Sequence, residues 1–367
     1  MAKLALGFAA ALIALAANAD EPIYTEADFA KVAKFDAHVH ANRQGREFLD
    51  AARKDGFELL SINVDYPDFP SLADQAKVAH ALKAEDPKRF HFATTFTMKG
   101  FGGKNWAADT IRRLDSEFAK GALAVKVWKN IGMVERNARG ELIMLDDPGF
   151  DPVMNHLAER HIPLIAHQGE PKNCWLPLDQ MTTENDRSYF REHPEYHMYL
   201  HPEQPSLETI LAARDRMIER HPGLAVDGAH MGSLEWDVDL LGRFLDAHPN
   251  AVVDLAARMT NVQYQSVRDY DKVRNFFIRY QDRLLYGTDL TDNPPSPQER
   301  AQNPPREEGG IAAEADNAWR SDWRYLATAE SQRVDAIDAD AKGLGLPKAV
   351  IDKIYWANSR REFHLQP

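Results

Sequence analysis

Cysteine is almost absent from this chain: Cys174 is the single one in 367 residues. No intrachain disulfide can form, so the core must hold without staples. A lone thiol can serve as a nucleophile, but Cys174 reads as a partly buried loop thiol. Basic charge is also scarce. Lys and Arg total 44 against 56 Asp and Glu, a formal net charge of −12, and no basic cluster is interleaved with aromatics. That balance argues against a nucleic-acid backbone as partner. No apolar run reaches the roughly twenty residues that a membrane span needs. Leu4 to Ala17 falls short of it, with Lys3 before it and the small-x-small site Ala17-Asn18-Ala19 at its end. Residues 1–19 therefore read as a secretory signal peptide cleaved before Asp20. The expected location is periplasmic or secreted, with no membrane span after processing and residues 20–367 forming a single domain.

A glycine-rich turn after the first strand is missing too, since Ala41-Asn42-Arg43-Gln44 follows it. This disfavours an open, doubly wound nucleotide-binding sheet. Hydrophobic residues make up 44% and charged residues 27%, enough apolar content for a large core. Short apolar, β-branched runs lie near 34–40, 57–64, 90–96, 122–128, 161–167, 224–230, 251–257 and 284–289. Helix-like stretches separate most of them, including Ser71 to Ala84, Asp109 to Ala119, Ser206 to Arg220 and Ser233 to Ala247. Eight strands alternating with helices predict an α/β fold, a (β/α)8 TIM barrel. Long connections follow strand five (Gln168 to Pro205) and strand eight (Leu290 to about Ala313), where a barrel shapes its substrate pocket. Residues 20–34 read as an extension covering the barrel's bottom or side.

Five of the predicted strands end in side chains able to bind a metal or carry charge: His38 and His40, Lys126, His167, His230, and Asp289. Strand ends are where such a barrel presents its chemistry, and imidazoles repeated there with a carboxylate suggest a metal cage. Strict alternation puts Asp36, His38 and His40 on one face, with the two imidazoles about 6.5–7 Å apart. It likewise groups His167 with Ile165 and Pro163, His230 with Gly228 and Val226, and Asp289 with Gly287 and Leu285. In strand four it sets Ala122, Ala124, Lys126 and Trp128 against Leu123, Val125 and Val127. An inward Lys126 is costly unless paired or modified. Three readings stay open for it: a carbamylated metal bridge, a partner for a substrate carboxylate, or an ion pair with Asp254 or Asp289. Arg258, after strand seven, is either a fork for a substrate carboxylate or a lock between loops. Trp128 and Glu170 lie near the expected mouth and join it as candidate substrate contacts. His193, His197 and His201 read as polar lid residues rather than a second metal site.

With Asp36-Ala37-His38-Val39-His40, Ala124-Val125-Lys126, Ile165-Ala166-His167, Gly228-Ala229-His230 and Tyr286-Gly287-Thr288-Asp289 in place, the chain resembles the amidohydrolase superfamily. The likeness is to its amidohydrolase-related branch of metal-dependent TIM-barrel hydrolases and decarboxylases, and it covers nearly all of the mature chain. Lys353 to Arg360 looks like that branch's closing helix, a structural element. The resemblance implies that His38, His40, His167 and Asp289 hold a catalytic divalent ion, Zn²⁺ first and Mn²⁺ as the alternative. One ion is implied, or two if Lys126 is carbamylated. It also implies that His230 polarises the substrate and Asp289 takes a proton from the activated water. The expected function is hydrolysis of a lactone, ester or amide of a small molecule, which suits an exported scavenger. The alternatives are a decarboxylase of the same branch and an inert metal- or ligand-binding barrel, in a monomer or a homo-oligomer.

Overall fold

The computed structural model describes residues 21–67, 69–294 and 310–366. The expected signal peptide and most of the connection after strand eight lie outside the described residues. Nine parallel strands form one curled sheet: β1 (Lys34–Ala41), β2 (Phe57–Ile62), β3 (Phe90–Thr95), β4 (Ala122–Val127), β5 (Leu164–Ala166), β6 (Val226–Gly228), β7 (Ala251–Asp254), β8 (Leu284–Leu285) and β9 (Leu290–Asp292). The last two are halves of one stave. β8 pairs with β7, whereas β9 pairs with β1 through Val39↔Leu290 and His40↔Thr291. Between them Ala37 N–H donates to Tyr286 O at 2.8 Å and Asp289 N–H to His38 O at 2.7 Å. The sheet thus closes into the expected barrel.

One apolar cluster fills the barrel interior, with Phe35, Ala37, Leu60, Ile62, Ala93 and Ile165 among its members. Phe363, from the C-terminal helical segment, packs into it and stacks on Phe35. A larger cluster lies between the strands and the surrounding helices. Ser71 and Ser206 cap the helices Leu72–Glu85 and Leu207–Arg220, each accepting the N–H three residues on. The third helix begins earlier than expected, at Trp106. The one expected from Ser233 begins only at Val238, capped by Asp237, because residues 230–233 take a different course. The extension before β1 docks on the barrel's flank, where Phe29 meets Phe57 and Trp323. A hairpin of β10 (Ser331–Val334) and β11 (Ala339–Lys342) is an addition with no counterpart in the sequence reading.

Strict alternation fails in two strands. The β1–β2 register shifts between Asp36 and Val39, so Ala37 and His38 face inward in succession. Asp36 is thereby turned to the outer layer, where Thr288 Oγ1 (2.7 Å) and Trp319 Nε1 (2.9 Å) donate to it. It does not share the face of His38 and His40. In β4 a similar shift, between the Phe92↔Ala122 and Thr94↔Val125 pairs, puts Leu123 with the interior and Ala122 with the outer layer. A bulge inserts one residue into one strand and reverses the facing of everything before it.

Candidate metal centre at the barrel mouth

His38 and His40 enter the site from the end of β1, beyond its bulge. His38 Nδ1 lies 2.7 Å from Asp254 Oδ2, and both groups are buried. A carboxylate only accepts, so Nδ1 carries the proton and Nε2 keeps its lone pair. His40 Nδ1 donates to Ile62 O at 2.7 Å, and His230 Nδ1 to Ala256 O at 2.9 Å. Each bond again leaves Nε2 as the acceptor. Holding a ligand imidazole by its far nitrogen is the usual way to orient it toward a metal.

His230 does not arrive by strand alternation with Gly228 and Val226, since β6 ends at Gly228 and Val226 packs outward. His230, Met231, Gly232 and Ser233 all have positive φ, at 58°, 58°, 61° and 52°. Together they make a left-handed turn that swings the imidazole to the mouth. Such backbone costs about 1–2 kcal/mol per non-glycine residue. Asp254 helps to hold it in place, accepting from His230 N at 2.8 Å and Ala256 N at 3.1 Å. Arg214, buried beneath, donates to Gly232 O.

Asp289 stands at the centre with φ of +68°, a conformation that Asp tolerates better than most residues. Its Oδ1 lies 3.1 Å from His40 Nε2 and 3.5 Å from His38 Nε2. His38, His230 and Asp289 each offer a donor atom within 4.8 Å of the other two. The His167 ring is 4.2 Å from that of His230, and its Nε2 is buried without a hydrogen-bond partner. Lone pairs from two imidazoles therefore face a carboxylate, with an orphaned ring nitrogen close by. Such a set needs a proton or a cation among its atoms; Lys126 Nζ, 3.3 Å from His38 Nε2, supplies one on that side, and nitrogen donors with one carboxylate also suit a borderline-soft divalent ion.

The electrostatics agree with that fit. Burial, with the nearby Lys126 charge, lowers the His38 pKa, and burial holds His167 and His230 well below the usual imidazole range. All three are held in the neutral, ligating form. For Asp289 burial acts upward and is outweighed only by positive charge on His230, His40 and His38, so an ionised carboxyl beside neutral imidazoles needs a proton or a cation among these rings. Asp254 behaves alike, with His38 as the dominant opposing group.

Lys126 points inward, its Nζ 3.3 Å from His38 Nε2, and burial pushes its pKa down to about 8. Of the three readings open for Lys126, the direct ion pair with Asp254 or Asp289 is not formed among the described residues. Those carboxylates and Asp227 act on Lys126 only through space. Arg258 is nearly buried, donates to Ala257 O at 3.0 Å, and leaves its Nε without a partner. Glu170 is tied to Lys129. Trp128 lies against Tyr66, with ring centroids 4.5 Å apart. Tyr66 meets Phe69, which stands edge-on to His40. His197 and His201 bond to the carbonyls of Leu176 and Pro194, and His193 lies 3.6 Å from Glu195, so all three serve the loop. Cys174 is buried, its thiol pushed up by that burial.

The residue that sequence reasoning undervalued is Asp254, considered there only as a partner for Lys126. It ends β7 and obeys the same strand-end rule as the histidines, which was the signal available. No described helix is long and apolar enough to cross a membrane.

The family model Amidohydro_2, described as Amidohydrolase, matches residues 35–365. No match was found among curated proteins. Among solved structures, the chain is similar to the uncharacterized TIM-barrel protein Bb4693 from Bordetella bronchiseptica (TM-score 0.51, 14% identity, covering 91% of this chain and 99% of that one). It is similar to the same extent to 2,6-dihydroxybenzoate decarboxylase from Rhizobium (TM-score 0.51, 15% identity, 91% and 99%). A probable 2-pyrone-4,6-dicarboxylic acid hydrolase from Acinetobacter baumannii follows (TM-score 0.50, 11% identity, 90% and 99%). At these identities the solved structures speak for the fold, and it is the family match over nearly the whole described chain that decides: this protein belongs to the amidohydrolase family Amidohydro_2.

Proposed function

We propose that this chain is an exported, metal-dependent hydrolase that cleaves a lactone, ester or amide bond of a small molecule. The observation that supports the reading is the grouping of His38, His230 and Asp289 within 4.8 Å of one another, with His40 Nε2 3.1 Å from Asp289 and the His167 ring 4.2 Å from that of His230. His38, His230 and Asp289 form the group close enough to hold the ion, Zn²⁺ or Mn²⁺, and His40 and His167, the other expected ligands, lie beside it and outside that group. When bound, such an ion supplies Lewis acidity, polarising a carbonyl oxygen and bringing the pKa of a water near 7.

The chain's own groups do the rest. Asp289, with its side chain 32% exposed, receives the proton of the attacking water and returns it to the leaving group. His230 presents its neutral Nε2 to the site while Ala256 O holds its other nitrogen, and there it accepts a hydrogen bond that orients the attacking water or the substrate. Arg258, with an unpaired Nε–H, meets a substrate carboxylate. Lys126 supplies positive charge behind His38. Leu4 to Ala17 and the Ala17-Asn18-Ala19 site support a periplasmic or secreted location.

One observation favours a second reading. The aromatic file Phe69, Tyr66 and Trp128 beside His40 suits a ring substrate, and the Rhizobium protein of this fold is a 2,6-dihydroxybenzoate decarboxylase. A single experiment separates the two. Protein stripped of metal and reloaded with Zn²⁺ or Mn²⁺ is given a panel of lactones, esters and amides, and in parallel hydroxybenzoates. Acid release from the first panel is expected. CO₂ release from the second alone would move the assignment to decarboxylation, and silence in both would leave an inert barrel.

A further inference from the structure

Arg214 is buried on the inner face of the helix Leu207–Arg220, where its neighbours Ile210, Leu211, Ala213, Met217 and Ile218 are all apolar. A guanidinium among them is costly to desolvate, and a methionine would pack there without that cost. Each side of the group is used. Nε and Nη2 grip Asp215 Oδ1 at 2.9 and 2.8 Å, the flat face lies over Phe244 with 4.2 Å to the ring centre, and Nη1 donates to Gly232 O.

The carbonyl it holds belongs to residues 230–233, which form one turn of left-handed helix. Ser233 N–H donates to His230 O and Leu234 N–H to Met231 O, each at 3.1 Å. With three non-glycine residues in the wrong hand, such a turn does not persist unaided. Asp254 fixes its start through His230 N–H, at 2.8 Å. The carbonyls of His230 and Met231 are used inside the turn, so Gly232 O is the one left over, and Arg214 fixes the end there. The fit is mutual, because a Cβ at Gly232 would lie 3.1 Å from Arg214 Nη1. Released at that end, the turn relaxes, and the His230 ring leaves its place 4.7 Å from the ring of His38 and 4.2 Å from that of His167.

We infer that Arg214 is a positioning residue for the reaction: from the outer helix layer, and through Gly232 O, it sets the aim of the His230 imidazole. It touches neither ion nor substrate. The inference rests on the proposed function for the task of His230, but not for its placement. Lysine is no substitute, because an ammonium lacks the planar fork that serves Asp215 on one side and a carbonyl on the other.

The test begins without metal. Full-length protein with nitrogen-15-labelled histidines is read by nuclear magnetic resonance, and His230→Gln assigns the His230 signals. In the parent these should report a fixed tautomer protonated at Nδ1, the nitrogen that Ala256 O holds. Arg214→Met is expected to average the two ring nitrogens and to weaken Zn²⁺ binding about tenfold in chelator competition. Arg214→Lys should recover only part of each. Leu82→Ala, which opens a buried site on the helix Leu72–Glu85, lowers stability without touching this contact and should change neither reading. Gly232→Ala presses on Nη1 from the other side, so combining it with Arg214→Met should cost no more Zn²⁺ affinity than the worse single change. Should Arg214→Met fail to fold, Arg214→Lys and Gly232→Ala carry the same readings. An unchanged His230 signal with unchanged Zn²⁺ affinity overturns the inference. So does an equal change in Leu82→Ala, or strict additivity in the double variant. A displaced His230 in a protein that hydrolyses no lactone, ester or amide would remove the proposed function and leave the brace standing. Hydrolysis undiminished in Arg214→Met would do the reverse.

Discussion

His38 Nδ1 and Asp254 Oδ2 lie 2.7 Å apart in a fully buried pair, and this one bond decides which nitrogen of His38 faces the site. Asp254→Asn keeps an oxygen for the N–H groups of His230 and Ala256 but turns an NH₂ toward Nδ1. The imidazole must then change tautomer, and Nε2 loses its lone pair. Metal affinity is expected to fall about 10- to 100-fold with the fold retained. Competition with a chelator of known affinity measures the first, and far-ultraviolet circular dichroism the second.

Gly287 bears no chemistry, yet it controls His38 by its size. A Cβ placed there would lie 3.0 Å from the Cβ of His38 and 3.4 Å from that of Ala256. In Gly287→Ala the imidazole gives way by a few tenths of an ångström. A loss on the order of tenfold in kcat/KM is expected, because small misplacements of catalytic groups are costly. An unchanged kcat/KM would mean that His38 tolerates the shift.

Glu235 is buried, with one oxygen accepting from Lys172 N–H at 2.8 Å and the other without a partner. Burial, opposed by the charge of Arg258, pushes its pKa up to about 6. The native state therefore keeps a proton that the unfolded chain releases. The stability this provides is present below the unfolded value of about 4.5 and is lost as pH rises through about 6. Glu235→Gln should be worth about 2 kcal/mol more at pH 8 than at pH 4 relative to the parent. Urea unfolding of both proteins at the two pH values checks this, and a difference independent of pH would contradict it.

The described residues contain one group able to hold an ion, His38, His230 and Asp289. Elemental analysis of the purified protein should therefore give close to one ion per chain, and Lys126→Met should retain it. Chelator treatment should abolish turnover and lower the melting temperature, with both restored by Zn²⁺ or Mn²⁺. Two ions per chain, with the mass of one carbon dioxide added at Lys126, would instead identify a carbamylated bridge.

The order of strands and the residues at their ends were legible because burial imposes short apolar runs and turns punctuate them. His167 follows simple alternation from Ile165, which packs inside, whereas Asp289 is a left-handed residue in the gap between β8 and β9. Asp36 does not, because its place depends on Trp319, 283 residues away, and no local pattern announces a bulge set by such a contact. His230 was legible as a strand-end residue but not in its path. Gly232 hints at a left-handed turn, while Met231 and Ser233 have no preference for one and are held there by Asp254, Arg214 and the surrounding core. The lid aromatics carried no periodicity, so the stacking of Tyr189 on Tyr196 was not legible in the sequence.

The eighth stave changes partners midway, its first half paired to β7 and its second to β1, with Asp289 at the crossing point. The peptide that joins the last strand to the first is thus the one that delivers Asp289, the proposed proton acceptor. Regain of turnover during refolding cannot precede the joining of the chain's two ends, and enzymatic rate becomes a clock for the final event of assembly.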